Sequence, residues 1–375
     1  MEIKLNNEQI NNILKKLNEK QEKLSEREFI EISDELLELL LFSDIENKIL
    51  RKGISLKGLD LSKIDFAGVD ISKVNFEGSI GAKINPQTVK DKNCLGVNFN
   101  SAKITGPFDN CEICGADFRG STGAQINPQT VKNKNCSNVD FGGVKITGPF
   151  DDCTIKGTGY KFTIFTGSIG AQINPQTIKD KDCTSAWFGD VEFIGSFDDV
   201  DIRSTIFKGS TGAQVNPQSV KNKNCYAVCF ADAKITSSFD NCNIEGASFK
   251  GSTGAKIDLK KIRGDICNID FEDAEFINYI TLNKSLIKLN FKGSKNAIIE
   301  ILDPWGNISD CNLSDVCINA KNIDEVLYII NDNNNISSNT TKINGLSSSE
   351  YLEKRNRLYN SYLNELDNFK LSLKN

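Results

Sequence analysis

A 17-residue stretch, GSIGAKINPQTVKDKNC, begins at Gly78 and returns as GSTGAQINPQTVKNKNC at Gly120, GSIGAQINPQTIKDKDC at Gly167 and GSTGAQVNPQSVKNKNC at Gly209. A decayed copy, GSTGAKIDLKKIRGDIC, starts at Gly251, and successive starts differ by 42, 47, 42 and 42 residues. A fixed period of this size marks a repeat array, in which each unit buries its apolar face only against its neighbours.

Between the copies the chain reads in fives. After Cys94 come LGVNF, NSAKI, TGPFD, NCEIC and GADFR; after Cys136 come SNVDF, GGVKI, TGPFD, DCTIK, then GTGYK and FTIFT. The longer repeat has gained one block of five. Ahead of the first copy, Leu56, Leu61, Phe66, Ile71 and Phe76 are five apart, with Ile54, Leu59, Ile64, Val69 and Val74 two residues before each. Neither a helix nor a flat strand has that period. A chain that turns a corner every five residues, with two side chains per side facing inward, does.

LDLSK at 59–63, IDFAG at 64–68 and VDISK at 69–73, with Ala116-Asp117-Phe118, Cys111-Glu112-Ile113 and Ala247-Ser248-Phe249, carry a resemblance to the pentapeptide-repeat family, whose consensus is roughly A-(D/N)-L-x-x. The resemblance spans roughly 53–320. It implies an all-β solenoid: a right-handed, quadrilateral parallel β-helix with Leu and Phe stacked along its axis. The INPQT segments depart from that consensus.

The domain reading is an N-terminal helical cap over 1–52, the β-helix over 53–320, a short helix and polar linker over 321–349 and a C-terminal helix over 350–375. In the cap, Ile10, Ile13, Leu14 and Leu17 form an amphipathic stripe, and Ser25-Glu26-Arg27-Glu28 is a capping box for a second helix carrying Phe29, Ile32, Leu36, Leu37, Leu39 and Leu40. Ser43-Asp44 is read as a helical restart toward Leu50. A stacked sheet exposes unpaired backbone at its end, and a cap covers it. Each 42-residue repeat amounts to two coils plus two residues, with the surplus in the INPQT stretch; there Asn85-Pro86 predicts a short helical turn or protruding loop with Ile84 and Val89 facing the core. Phe99, Phe141, Phe188 and Phe230 are expected to be the least replaceable core groups. Leu352, Tyr359, Leu366 and Leu373 repeat at seven, with Tyr362 and Phe369 on the adjoining seam, and make a candidate dimer helix; docking of this helix on the last coil is the competing reading.

Composition removes whole chemistries. With no His, Ser-His-Asp and Cys-His catalysis are excluded. A net charge of −5 argues against direct nucleic-acid binding and is weak for a wholesale DNA mimic. No signal-peptide region opens the chain and no apolar run is long enough to span a membrane, so the expected location is cytoplasmic, with reduced thiols. Cys94, Cys136, Cys183, Cys225 and Cys267 recur at one repeat position and Cys111, Cys153 and Cys242 at another, as small core groups would. Cys111-x-x-Cys114 is accordingly read as structural, and no cofactor or metal is expected. The acidic pairs Asp151-Asp152, Asp180/Asp182 and Asp198-Asp199 are the only candidates for carboxylate chemistry.

The candidate binding surface is the INPQT ladder: Asn85, Gln87 and Lys90, then Asn127, Gln129 and Lys132, then Asn174, Gln176 and Lys179, then Asn216, Gln218 and Lys221. The expected function is a non-catalytic protein-binding or scaffold rod with an unknown protein partner. The alternative, implied by the family, is a DNA-mimicking modulator of a type II topoisomerase (gyrase), and a polysaccharide-active β-helix enzyme is third. For 157–161 the expectation is an outward bulge that keeps Asn127 and Asn174 on one side; a true wall side would rotate every later copy by a quarter turn.

Overall fold

The computed structural model describes residues 5–24, 28–52, 54–159, 161–278, 280–281, 286–301, 308–320, 341–343, 345–347, 349–350, 353 and 356–357. It divides into two compact units, Met1–Ser196 with Gly209–Gly212, and Phe197–Lys208 with Ala213–Asn375.

In both units the wall is a parallel β-solenoid whose coils take about 20 residues. In the first, Lys83–Ile84 pairs with Lys103–Ile104, Gln125–Ile126 with Lys145–Ile146 and Gln172–Ile173 with Glu192–Phe193. In the second, Gln214–Val215 pairs with Lys234–Ile235 and Lys256–Ile257 with Glu275–Phe276. Further rows are built from single parallel bridges, such as Asn75 to Asn98 to Asp117 to Asp140.

The five-residue corner has a local cause. The Asp or Asn before each inward Leu, Ile or Phe accepts a hydrogen bond from the backbone N–H two residues on: Asp60 from Ser62, Asp65 from Ala67, Asp70 from Ser72, Asn98 from Asn100 and Asp117 from Arg119, all at 2.9–3.0 Å. These are Asx turns, which bend the backbone without help from the rest of the fold. A backbone bond of 3.0–3.1 Å closes the same corner, for example Ile64 N–H to Leu61 C=O and Val74 N–H to Ile71 C=O.

Inside, the rings stack coil on coil. Phe76, Phe99 and Phe118 are stacked with centroids 6.3 and 5.0 Å apart, and Phe108 meets Phe99 and Phe118 edge-on. Phe141, Phe165 and Phe188 continue in the first unit, and Phe207, Phe230, Phe249, Phe271 and Phe291 form the column of the second. Phe99, Phe141, Phe188 and Phe230 are all fully buried. Each such side chain contributes on the order of 1.5–3 kcal/mol.

Two short helices and a hairpin precede the first coil and bond to it. Helix α1 (Asn7–Gln21) starts at an Asn6/Gln9 capping box and buries Ile10 and Leu17. Gln21 Nε2 donates to the carbonyls of Ser55 and Lys57 at 2.9 and 2.8 Å. Helix α2 (Asp34–Leu41) is capped by Ser33, later than expected, because the preceding chain is extended, with Ile30 N–H bonded to Gly58 C=O at 2.8 Å. Ser25, Glu26 and Arg27 lie outside the described residues. The Ser43-Asp44 restart is not helical: Phe42–Asp44 and Ile49–Leu50 form an antiparallel hairpin. The reason is Arg51, whose guanidinium takes the carbonyls of Leu39, Leu40 and Phe42 at 3.0–3.1 Å and so ends the helix.

In the second unit, Ala297–Ile301 pairs with Val316–Ala320 in parallel, and Lys342–Ile343 adds to the latter before turning antiparallel into Leu346–Ser347. Part of the segment read as a polar linker is therefore sheet, because Ile343 and Thr341 are fully buried and Thr341 Oγ1 bonds Leu313 C=O at 2.6 Å. The short helix expected near 322–331 lies outside the described residues, as do Leu352, Tyr359, Tyr362, Leu366, Phe369 and Leu373 of the candidate dimer helix; of that helix Glu350, Glu353, Asn356 and Arg357 are described and are helical.

Candidate functional site

The INPQT ladder begins at a bulge. Thr122 pairs with the coil below, its N–H on Ala102 C=O and its C=O taking Ile104 N–H, at 3.0 and 2.8 Å; two residues later Ala124 C=O accepts from Lys145 of the coil above. Between them Gly123 has φ +78°, and a Cβ there would lie 2.7 Å from Ile104 O. Only glycine fits. The strand thus slips by three residues against itself, which places the surplus of each repeat in the INPQT stretch.

Because every copy carries this slip, the ladder stays in one row within the first unit. Lys83 stacks on Lys103 and then Thr122; Gln125 on Lys145 and then Ile169; Gln172 on Glu192. From Lys145 to its partner Ile169 the chain takes 24 residues, where Lys103 to Thr122 takes 19. The extra five leave the wall. Thr158 and Lys161 form an antiparallel bridge, Thr158 is held by Asn138 at 2.7 and 2.9 Å, and a Cβ on Gly159 would meet nothing within 4 Å. Tyr160 lies outside the described residues.

The candidate residues then part company. Asn85, Asn127, Asn174 and Asn216 accept from the N–H of Gln87, Gln129, Gln176 and Gln218 at 3.0–3.1 Å, the same Asx turn as elsewhere in the wall. A Cβ on Gly106, Gly148 or Gly195 would sit 2.1–2.3 Å from the Oδ1 of Asn85, Asn127 or Asn174, so the glycine of the next coil is the lid over these three asparagines. The glutamines reach across. Gln87 Nε2 bonds Pro107 C=O and Asp109 C=O at 3.0 and 2.9 Å, and Gln129 Nε2 bonds Pro149 C=O and Asp151 C=O at 3.1 and 2.6 Å. Gln176 takes Ser196 C=O, and Gln218 takes Ser238 and Asp240 C=O. The amides of the expected binding stripe are thus staples between coils. Of that stripe, Lys90, Lys132, Lys179 and Lys221 are exposed, and the ammonium groups of the first three hold no hydrogen bond or ion pair among the described residues.

Beneath each staple lies a thiol. Gln87 Nε2 is 3.5 Å from Cys111 Sγ, Gln129 Nε2 3.5 Å from Cys153 Sγ and Gln218 Nε2 3.6 Å from Cys242 Sγ. The repeat-locked cysteines Cys94, Cys111, Cys136, Cys153, Cys225 and Cys242 are fully buried and free. Cys94 and Cys111 are in side-chain contact, as are Cys136 and Cys153. The hydrogen bond from Cys94 pulls the Cys111 thiol below its ordinary pKa, with Lys92 assisting against burial, and correspondingly pushes Cys94 up. Burial pushes Cys242 up to about 11. Cys111 therefore pairs with Cys94 of the coil below and not with Cys114, whose thiol is half-buried. Cys267 departs from the expected burial and is also half-buried.

The acidic pairs are engaged in the wall. Asp151 accepts from Thr177 Oγ1, Asp152 lies 3.7 Å from Lys134 Nζ and Asp182 3.2 Å from Lys156 Nζ; Asp180 and Asp199 occupy left-handed turn positions. Asp140 is buried; desolvation raises its pKa, and its partner is Arg119 at 2.9 Å.

Five-residue sides, Asx corners and an aromatic column define the wall. These are the features that the resemblance to the pentapeptide-repeat family implies. No family model and no curated protein matches it. Among solved structures it is similar to HetL, a pentapeptide repeat protein involved in heterocyst differentiation regulation from the cyanobacterium Nostoc sp. strain PCC 7120. That alignment covers 67% of this chain and 90% of the other at 11% identity, with a TM-score of 0.16. Among the described residues no helix is long and apolar enough to cross a membrane.

The stacking of the INPQT copies was legible from their period. The glutamine staples and the thiol pairs were not, since each joins residues 17–24 apart that only the coil brings together. Their one signal was phase: Gln87 and Cys111, Gln129 and Cys153, and Gln218 and Cys242 keep the same separation of 24.

Proposed function

We propose that this chain is a non-catalytic scaffold, a right-handed, four-sided coil that binds a protein partner through the exposed edge of the INPQT ladder. The supporting observation is the division of labour at that edge. The asparagine and glutamine side chains fix the loops to the wall, and Lys90, Lys132 and Lys179 project from them without partners among the described residues. Successive copies are two coils apart, so the ammonium groups recur at roughly 9–10 Å along one row. A pre-ordered row of cations loses little entropy on binding and suits a partner with a matching acidic face.

The DNA-mimicking reading needs one row that is acidic throughout. In the first unit one row runs Lys83, Lys103, Thr122, then Gln125, Lys145, Ile169, then Gln172, Glu192, and another runs Asn75, Asn98, Asp117, Asp140, Ile164, Trp187, with Arg119 bridging the two aspartates. Neither favours that reading.

The test is capture from native lysate with the full chain and with a Lys90→Glu/Lys132→Glu/Lys179→Glu variant of unchanged circular dichroism. A protein captured by the former and lost, by tenfold or more, from the latter is the expected result. Capture that is equal for both chains removes the lysine row from the proposal.

A further inference from the structure

Six of the eight buried thiols among the described residues occur as pairs on adjacent coils, and each pair has the same kind of roof. From the geometry we infer that Cys94/Cys111, Cys136/Cys153 and Cys225/Cys242 are two-coordinate sites for a soft monovalent cation of the copper(I) class.

Three observations carry this. The first is the ligand set. Thiolate is the donor that selects copper(I) over harder ions, and each site offers two sulfurs from adjacent coils, with Cys94 N–H bonded to Glu112 C=O, Cys136 N–H to Thr154 C=O and Cys225 N–H to Asn243 C=O at 2.8–2.9 Å. Among the described residues no group of three or more His, Cys, Asp or Glu converges. Zinc, which takes four such ligands, is therefore not served, whereas a linear dithiolate needs only two.

The second is charge. Two thiols lose two protons to solvent as one copper(I) binds, leaving a complex of net charge −1 in an apolar core. Such a charge requires donors nearby. Gln87 Nε2, whose protons serve Pro107 and Asp109 C=O, presents the positive end of its amide 3.5 Å from Cys111 Sγ, and Lys92 Nζ sits 2.6 Å from Gln87 Oε1, polarising the same amide. The fourth repeat reproduces this, with Gln218 Nε2 3.6 Å from Cys242 Sγ and Lys223 Nζ 2.7 Å from Gln218 Oε1. In the second repeat Gln129 keeps its place at 3.5 Å, but Lys134 is turned to Asp152. The first and last pairs should then hold the cation more tightly than the middle one.

The third is access. The roof is a single glutamine side chain and its lysine, both only half-buried, so a sulfur at zero exposure lies one layer below solvent.

The test is an anaerobic titration of the fully reduced full chain with copper(I) against bicinchoninate, a chromophoric copper(I) chelator. The expected result is three equivalents withheld from the chelator. Cys111→Ala, Cys153→Ala and Cys242→Ala should each remove one, and the triple variant all three. Alanine is chosen because Ala116 and Ala247 already fill inward positions of the same wall, and circular dichroism checks that each variant is folded. Intact protein that withholds no copper overturns the proposal. So does a folded triple variant that withholds as much as the parent, since the half-exposed Cys114, Cys229, Cys267 and Cys317 would then carry the binding.

Discussion

The corners at Asp60–Ser62 and at Asn85–Gln87 begin alike and end differently. In both, a side-chain oxygen accepts the N–H two residues on and bends the chain. After Asp60 nothing more is asked of the corner: Ser62 is exposed and the chain enters the next side. After Asn85 the glutamine crosses to the coil above and takes two of its carbonyls. One corner is specified by its own five residues, the other by residues about 20 further along the chain. A local turn tolerates neighbours of almost any kind, whereas a turn that carries a staple ties its sequence to that of the next coil. That coupling is a physical reason for INPQT to repeat nearly unchanged, facing TGPFD, TGPFD, IGSFD and TSSFD in turn, while the plain blocks vary more.

Both corners rest on the aromatic column, so the most damaging change should be common to them. Phe99→Ala, between Phe76 and Phe118, is expected to cost about 3–5 kcal/mol, read as the shift in urea midpoint at constant slope; a loss under about 1 kcal/mol would mean that the column repacks freely.

The next largest effect should be confined to the laddered side. Gly123→Ala forces a Cβ against Ile104 O at positive φ, at a cost of about 1–3 kcal/mol. Gly159→Ala, in the protruding turn with nothing near its Cβ, bears only the φ term and should cost clearly less in the same titration.

Removing the staple separates the two corners directly. Gln87→Ala leaves Pro107 and Asp109 carbonyls without their amide, worth about 1–3 kcal/mol, and should speed amide exchange within 107–111. Asp60→Ala removes only a local bond, about 0.5–1.5 kcal/mol, and should leave exchange in the neighbouring coil unchanged. Equal exchange in both variants would erase the distinction.

The smallest effect is expected from deleting residues 157–161, which restores a 42-residue repeat. Thr158 and Gly159 hang outside the wall on Asn138, while Gly157 N–H bonds Thr184 C=O, so the loss of the segment should change stability by no more than about 1.5 kcal/mol. A cooperative loss of structure on deletion would show that it is a side of the coil after all.

What the sequence determined by itself is what recurs at short range. Period five follows from Asx chemistry and an inward apolar residue within each block, so LDLSK, IDFAG and VDISK suffice to specify a wall. The cap's existence was legible for the same reason, because an amphipathic stripe at Ile10, Leu14 and Leu17 needs a partner surface. Its boundaries were not. The extended run at Ile30 and the hairpin at Phe42–Leu50 exist because Gly58 C=O, well along the chain, and Arg51, reaching back to the end of the helix, supply their bonding. The candidate stripe divided along the same line. The sequence placed Asn85, Gln87 and Lys90 together on one surface, but it gave no direction to their side chains. Only the coil above, arriving with Gly106, Pro107 and Asp109, decided that the amides turn inward to unpaired carbonyls and that the lysine, whose charge is best solvated, stays out.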